Sequence, residues 1–404
     1  MYLKLAWRNI WRSRRRTLIT ISSIVFAVLF SALLYSTKKG MLVRMEQNSV
    51  SFYTGYAQVH KKGYWDEKTI DNSFDQSDSL LENIKAINNV LGVYPRLESF
   101  SLAASESKTR GTLVVGIDPD GENEVTRLRD KINQGNYLDP SDRAVIITEG
   151  LANYLKLAVG DTLVLLGQGY HGTSATAKYP VKGLLKFGNP DLNNGLVYLP
   201  MKEAQWLFSA ENKLTSLVLQ LEENSKVNRV SDKVQASIGP DYESMSWKTM
   251  LPELDQIIKG ENTETAVVLS VLYLLISFGL FGTILMMTLE RSYEFGVLIA
   301  IGMKKAYIYT VVIIENFLLS LLGVLAGSIL SFPVLYYFHK SPIRMGDELA
   351  EAYEKYGLEP VFYFSIAPDV FYTQALAVLI ISLVISAYPL FKIARLEPVE
   401  AMRS

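Results

Sequence analysis

Residues 288–307, TLERSYEFGVLIAIGMKKAY, are charged at both ends and lie between two of the longest apolar runs in the chain. Upstream, Thr265–Leu289 holds no Asp, Glu, Lys, Arg or His, and downstream Ala306–Phe338 holds only Glu315. Each run exceeds the roughly 20 apolar residues that cross a bilayer as a helix. A polar segment this brief must turn around at one membrane face. Its pattern also predicts a short helix, with Phe295, Leu298 and Ile299 along one side and Gly302 placed to end it. A surface helix between two spans is suited to receiving force from a soluble partner; the plainer reading is a connecting loop.

Composition agrees with a mixed architecture. The chain has 404 residues and is 49% hydrophobic and 20% charged, and its mean hydropathy is +0.15. That is too apolar for an ordinary soluble protein and too charged for one wholly embedded in lipid. A net charge of -1 argues against a nucleic-acid partner, which needs a basic surface. The absence of cysteine excludes disulfides, thiolate zinc sites and cysteine nucleophiles, and leaves the compartment undecided.

At the N-terminus, Lys4, Arg8, Arg12, Arg14, Arg15 and Arg16 come without an acid, which anchors residues 1–16 in the cytoplasm. Leu3, Trp7, Ile10 and Trp11 recur at helical spacing opposite the first of these charges, the pattern of an interfacial amphipathic helix. Residues 17–37 form a first span, too long for a signal-peptide core and with no clear cleavage site after it. Residues 264–289 and 306–338 are the second and third spans, 290–305 the connecting segment and 370–391 the fourth span. Residues 339–369 are acidic on balance and suit the outer face. The tail, 392–404, carries Lys392, Arg395 and Arg403. Both termini and the central loop thus lie inside.

The polar portion between the first two spans alternates strand-like and helix-like segments. Two β-α-β units, Tyr56–Ala103 and Leu214–Trp247, flank an inserted piece, an arrangement expected of a ferredoxin-like split β-α-β domain. The insert, about Leu113–Phe208, reads as a second, mostly β subdomain. The fold class is therefore membrane α-helical, with four transmembrane helices and a large α+β extracytoplasmic domain.

Motifs for chemistry fail on context. Gly167, Gly169 and Gly172 fit G-x-G-x-x-G, but the chain continues toward Tyr179 as another strand, so a flexible hairpin tip is expected instead of a dinucleotide site. With Tyr170 and His171, this long Gly-rich tip is a candidate docking loop. Ser36-x-x-Lys39 and Ser105-x-x-Lys108 lack companion nucleophile motifs. His60, His171 and His339 show no metal-ligand spacing. No G-x-x-x-x-G-K-[ST] occurs, so this chain cannot hydrolyse ATP through a Walker site of its own. Glu315, a carboxylate within a span, is a candidate functional group, with pairing to Lys304 or Lys305 as the alternative. Gly323 and Gly327 form G-x-x-x-G, which suggests a subunit interface.

In this order the features resemble a known family. LAWRNIWRSRRRTLIT (Leu5–Thr20), VVGIDPDGE (Val114–Glu122), LANYLKLAVGDTL (Leu151–Leu163), Ser246-Trp247, ERSYEFGVLIAIG (Glu290–Gly302) and ARLEPVEAMR (Ala394–Arg403) are similar to signatures of the permease subunits of MacB-like (type VII) ABC transporters. The likeness covers essentially the full length, and the lipoprotein-releasing LolC/LolE group is the nearest. It implies that 38–112 with 209–262 corresponds to the Porter subdomain and 113–208 to the Sabre subdomain. It also implies that Glu290, Arg291, Glu294, Gly296 and Gly302 belong to a coupling helix docked on a separate ATPase dimer. No cofactor would be bound directly; ATP and Mg would sit on that partner. A second permease copy or paralogue, membrane lipid, lipoprotein cargo and a periplasmic carrier complete the expected partners. Gly167–Thr173 is the positional counterpart of a carrier-recruiting hook. A bacterial inner-membrane location follows from the same likeness. The alternatives are a MacB-like exporter of peptides or small amphiphiles working through an outer-membrane duct, an FtsX-like regulator of a cell-wall hydrolase, and a sensor receptor.

Overall fold

The computed structural model describes residues 2–12, 14–348, 350, 353 and 360–394. The tail from Arg395 onward, and Glu351, Glu354, Lys355 and Glu359 of the second outer segment, lie outside the described residues. The chain divides into two units: Met1–Val43 with Lys259–Met345 and Val361–Ser404, and Arg44–Ile258 with Gly346–Pro360.

The first unit is helical. Its principal elements are α1 (Tyr2–Arg12), α2 (Arg14–Glu46), α3 (Pro252–Glu290), α4 (Ser292–Ala300), α5 (Lys305–Lys340) and α6 (Pro368–Ile385). Among the described residues four helices, α2, α3, α5 and α6, are long and apolar enough to cross a membrane. Two outrun their apolar runs: α2 continues past Thr37 to Glu46, and α3 begins at Pro252 instead of near residue 264. Charge ends an apolar run but not a helix, because Lys, Met, Leu, Arg and Glu are all good helix formers. Proline at the first position of α3 lacks an N–H that would have had no helical partner there anyway.

The G-x-x-x-G pair serves this chain's own packing and not the expected subunit contact. A Cβ on Gly323 would lie 2.7 Å from Ile24 Cβ, and one on Gly327 2.8 Å from Val28 Cβ. The two glycines thus let α5 close onto α2, and Ile24, Ala27, Val28, Leu280, Val324 and Val378 form the core there. Polar contacts join the same helices. Lys38 Nζ lies 3.2 Å from both Glu261 and Glu264, and Tyr273 Oη donates to Gln374 Oε1 at 2.5 Å. Ser36, from one of the S-x-x-K matches, is buried and donates to the Ser365 carbonyl at 2.7 Å, a packing role.

The second unit is built on a ten-stranded sheet. Its strands are β1 (Ala57–Lys61), β2 (Val90–Ala104), β3 (Thr109–Ile117), β4 (Ile132–Gly135), β5 (Val145–Thr148), β6 (Thr162–Gln168), β7 (Ser174–Leu185), β8 (Leu196–Pro200), β9 (Ser216–Leu221) and β10 (Tyr242–Ser246). The order is β10-β1-β9-β2-β3-β8-β5-β7-β4, with β6 paired to β2 and β7. The first four strands in that order, with the helices Asp78–Lys85 and Val227–Ile238, make the expected ferredoxin-like arrangement. Val59, Ile84, Leu217, Val230 and Val234 lie in its core.

The insert does not form a sheet of its own. Strand β2 is long enough to pair β9 through Val90–Arg96 and β3 through Arg96–Ala104, so one strand serves both parts. The insert therefore begins inside β2, ahead of Leu113. Ser105 and Lys108 close the β2–β3 hairpin, with the Ser105 N–H donating to the Lys108 carbonyl at 2.8 Å. At the crossover, Arg96 is wholly buried, makes two parallel bonds to Glu122 at 2.9 and 2.6 Å, and donates to the Tyr53 carbonyl at 2.6 Å. Burial opposes its charge, but the Glu122 and Glu98 carboxylates outweigh burial and raise its pKa further.

Candidate functional site

Helix α4 occupies the stretch between the second and third spans, and its ends are set by local chemistry. Gly302 has φ +99, a left-handed conformation that favours glycine. Its N–H donates to the Ile299 carbonyl at 2.9 Å while Met303 N–H donates to the Leu298 carbonyl at 3.0 Å, which terminates the helix in a Schellman motif. The apolar side falls as its spacing predicts. Phe295 is buried against Ile308 and Val312 of α5, flanked by Leu298, Ile299 and Tyr309. Gly296 is buried beside Phe295, and Glu290 is exposed at the end of α3.

Polar groups fix the other side. Arg291 Nη1 donates to Glu315 Oε1 at 2.7 Å, and the Arg291 guanidinium lies 5.2 Å from the centre of the Phe295 ring. Glu315 is 4% exposed, so its pair is a buried one. Its partner is therefore Arg291, not Lys304 or Lys305. Lys305 begins the helix that carries Glu315, and ten residues of α-helix span roughly 15 Å. Arg291 Nε also lies 3.8 Å from Glu294 Oε2, and Glu294 accepts a hydrogen bond from Arg12 of α1. A small cleft of about 20 Å³ lies among Asn9, Arg12, Thr17, Arg291, Glu294 and Glu315.

The amphipathic helix α1 is attached here too. Ala6 and Ile10 are buried, Thr17 Oγ1 donates to the Ile10 carbonyl at 2.5 Å, and the Tyr2 and Tyr307 rings stack at 5.9 Å. Leu3, Trp7 and Trp11 remain exposed, so the apolar stripe is shared between protein packing and an outward face. Three large apolar side chains are exposed around α4, beside the charged Glu290 and Lys304: Tyr293 is 55%, Ile301 79% and Met303 42% exposed. These three, and Arg12, escape a reading of the sequence. Nothing local connects Arg12 to Glu294 across 282 positions.

The second candidate, the glycine-rich stretch, is a hairpin tip as expected, closing the β6–β7 pair, but it is short and tied by hydrogen bonds where a long, flexible tip was expected. The strands run to Gln168 and resume at Ser174, leaving five residues. Tyr170 N–H donates to the Phe208 carbonyl at 2.8 Å, and His171 N–H to Asp71 Oδ1 at 2.8 Å. Gly169 packs so closely that a Cβ would lie 2.4 Å from the Phe208 oxygen, while Gly167 lies against Ser101 and Gly172 has φ +78. The His171 side chain stays exposed. No group of three or more His, Cys, Asp or Glu side chains is placed to hold a metal among the described residues.

Residues 17–237 match the MacB-like periplasmic core domain family, and residues 266–398 match the FtsX-like permease C-terminal family. A lipoprotein-releasing system transmembrane protein LolC of Xylella fastidiosa is 25% identical over 328 residues, covering 78% of each chain. An uncharacterized ABC transporter permease of Methanocaldococcus jannaschii is 26% identical over 419 residues, covering 98% of this chain and 96% of the relative. Among solved structures, the periplasmic region of MacB from Actinobacillus actinomycetemcomitans aligns with TM-score 0.36 and 15% identity, over 51% of this chain and 94% of that one.

Proposed function

We propose that this chain, which belongs to the ABC transporter permeases of the MacB/LolC type, uses its partner ATPase to extract lipoproteins from the inner membrane and release them toward a periplasmic carrier. Relatives named for lipoprotein release support the choice of cargo. The observation that carries the coupling part is α4 itself. It is bound to α5 through Phe295 and through Arg291–Glu315, and it leaves Tyr293, Ile301 and Met303 open to a partner. Glu290, Arg291, Glu294, Gly296 and Gly302 would make or shape that docking surface. A push on α4 would reach the third span through the Arg291–Glu315 pair. The chain supplies no ATP or Mg site in this reading; both belong to the ATPase dimer. A second permease copy or a paralogue completes the assembly, and the exposed His171 would mark the contact for a carrier.

Reconstitution tests this reading. The chain is placed in liposomes with its ATPase and a triacylated lipoprotein, and ATP-dependent transfer of the lipoprotein to the soluble fraction is measured. Transfer that stops when the ATPase is inactivated supports release. A lipoprotein that stays in the membrane while ATP is hydrolysed and a peptide or small amphiphile crosses would favour the MacB-like exporter, which the match over residues 17–237 keeps as the second reading.

A further inference from the structure

Helix α1 carries three stripes, and the packing described above accounts for one of them. At about 100° per residue, Ala6 and Ile10 fall on a buried side, Leu3, Trp7 and Trp11 beside them on an exposed apolar side, and Lys4, Arg8 and Arg12 beyond those on an exposed cationic side. The Trp7 and Trp11 rings meet edge to face at 6.0 Å. Arg14 and Arg15, which open α2, are exposed as well, and the first acidic residue of the chain is Glu46. An anion arriving at this segment therefore meets a run of cations with no carboxylate of the segment's own.

Charge and apolarity together select the occupant. A soluble anion would use the cations and leave Leu3, Trp7 and Trp11 in water, whereas an anionic phospholipid covers both stripes, acyl chains on one and headgroup phosphate on the other. The location agrees. Helix α1 leads into the first span and α4 joins the second to the third, so both lie at the same end of the spans, the depth at which headgroups begin.

Arg12 stands at the edge of the cationic stripe that faces α4, where it donates to Glu294. That pair is open to solvent, its side chains 67% and 37% accessible, and pairs of this kind hold weakly. Glu294 keeps a second arginine, Arg291, at 3.8 Å. Helix α1 is seated by Ala6, Ile10, the Thr17–Ile10 hydrogen bond and the Tyr2–Tyr307 stack, none of which involves Arg12. Arg12 is thus able to change partner while the helix that carries it stays in place.

We infer that α1 binds anionic phospholipid headgroups through Lys4, Arg8, Arg12 and Arg15, and that a bound headgroup takes Arg12 away from Glu294. Lipid charge thereby sets how firmly α4 is tied to α1. Binding is independent of the reading of α4 as a docking element and is measured without an ATPase, so either one fails without the other.

The chain has no cysteine, so a single introduced thiol reports from one place. Leu3→Cys in the full chain is labelled with bimane and reconstituted in phosphatidylcholine vesicles. Quenching by brominated phosphatidylglycerol is compared with quenching by brominated phosphatidylcholine of the same acyl chains. The anionic lipid should be preferred about 5-fold or more, as expected for cations near a charged headgroup, and high salt should remove most of the preference. Arg12→Gln should lower it about 2- to 5-fold, and Glu294→Gln should raise it by a similar factor because the arginine no longer has a carboxylate to leave. With Arg12→Gln already in place, Glu294→Gln should have no effect. Leu3 and Arg12 are exposed and Glu294 half-exposed, so these variants probe binding and not folding. Equal quenching by the two lipids, the same preference at a control bimane on Tyr337→Cys near the far end of α5, or a Glu294→Gln effect that persists without Arg12 would each overturn the proposal.

Discussion

Arg291 and Glu315, 24 residues apart in the chain, meet at 2.7 Å with both side chains largely buried. The pair joins the start of α4 to the third span, and Phe295 packs under the same guanidinium. A buried charge pair is weak evidence for stability, since desolvation offsets much of its attraction. Its value here is geometric: it holds α4 in one orientation on α5.

Removing one partner should therefore do more harm than removing both. Arg291→Ala strands the Glu315 carboxylate and should destabilise the membrane unit by about 3–5 kcal/mol. The double variant Arg291→Met with Glu315→Leu should recover most of the lost thermal stability, yet leave ATP-driven transport impaired because α4 is no longer oriented. Melting temperatures of the purified variants, compared with their transport rates, check this. Full transport in the double variant would remove the pair from the coupling path.

Glu294 behaves differently. Its bond to Arg12 is exposed, with the arginine side chain 67% accessible, and exposed ion pairs contribute about 0–1 kcal/mol. Glu294→Arg should leave the chain folded and inserted. Transport should fall while the partner still hydrolyses ATP, which side-by-side hydrolysis and transport assays would read.

The two glycines that seat α5 on α2 give a third prediction. Gly327→Leu forces a side chain into Val25 and Val28 and should cost about 1–3 kcal/mol, and even Gly323→Ala should destabilise, because its Cβ would meet Ile24 Cβ, which the backbone holds, at 2.7 Å. Chemical cross-linking should show unchanged assembly with a second permease. Loss of that assembly with unchanged thermal stability would restore the subunit-interface reading.

His60 links stability to pH. Its ring is buried between Tyr64 and Trp65, Nε2 lies 2.6 Å from Gln58 Oε1, and burial, aided by the nearby Lys68 charge, lowers its pKa to about 3. The unfolded chain, with an ordinary histidine near 6.5, binds more protons between these values, so stability rises with pH across that window. The contribution is complete above about pH 6.5 and is lost toward pH 3, up to on the order of 4–5 kcal/mol. His60→Leu should flatten the dependence of the thermal midpoint on pH between 6.5 and 4.5. A variant with the same slope as the parent would show that other groups set it.

Much of this architecture is legible in the sequence because its signals are long or local. Four apolar runs, the 3.6-residue spacing of Phe295, Leu298 and Ile299, and a glycine at residue 302 each need only neighbouring residues to be read. What escapes depends on contacts across the chain. Glu315 invites pairing with Lys304 or Lys305 because they are near in sequence, but the fold returns Arg291 to it. The G-x-x-x-G pair has no visible partner until α2 is placed beside α5. The hairpin tip reads as free because Phe208 and Asp71, which hold it, are far away in the chain. The single sheet is hidden because strand β2 gives no sign that its two halves pair with different neighbours.

Everything said of transport depends on a nucleotide-hydrolysing subunit pressing on α4. Tyr293, exposed on that helix, is the place to look. A photo-cross-linking amino acid at this position, in cells expressing the chain with its ATPase, should yield a covalent adduct with the ATPase. Failure to capture it, while a position on the second unit does, would contradict the account.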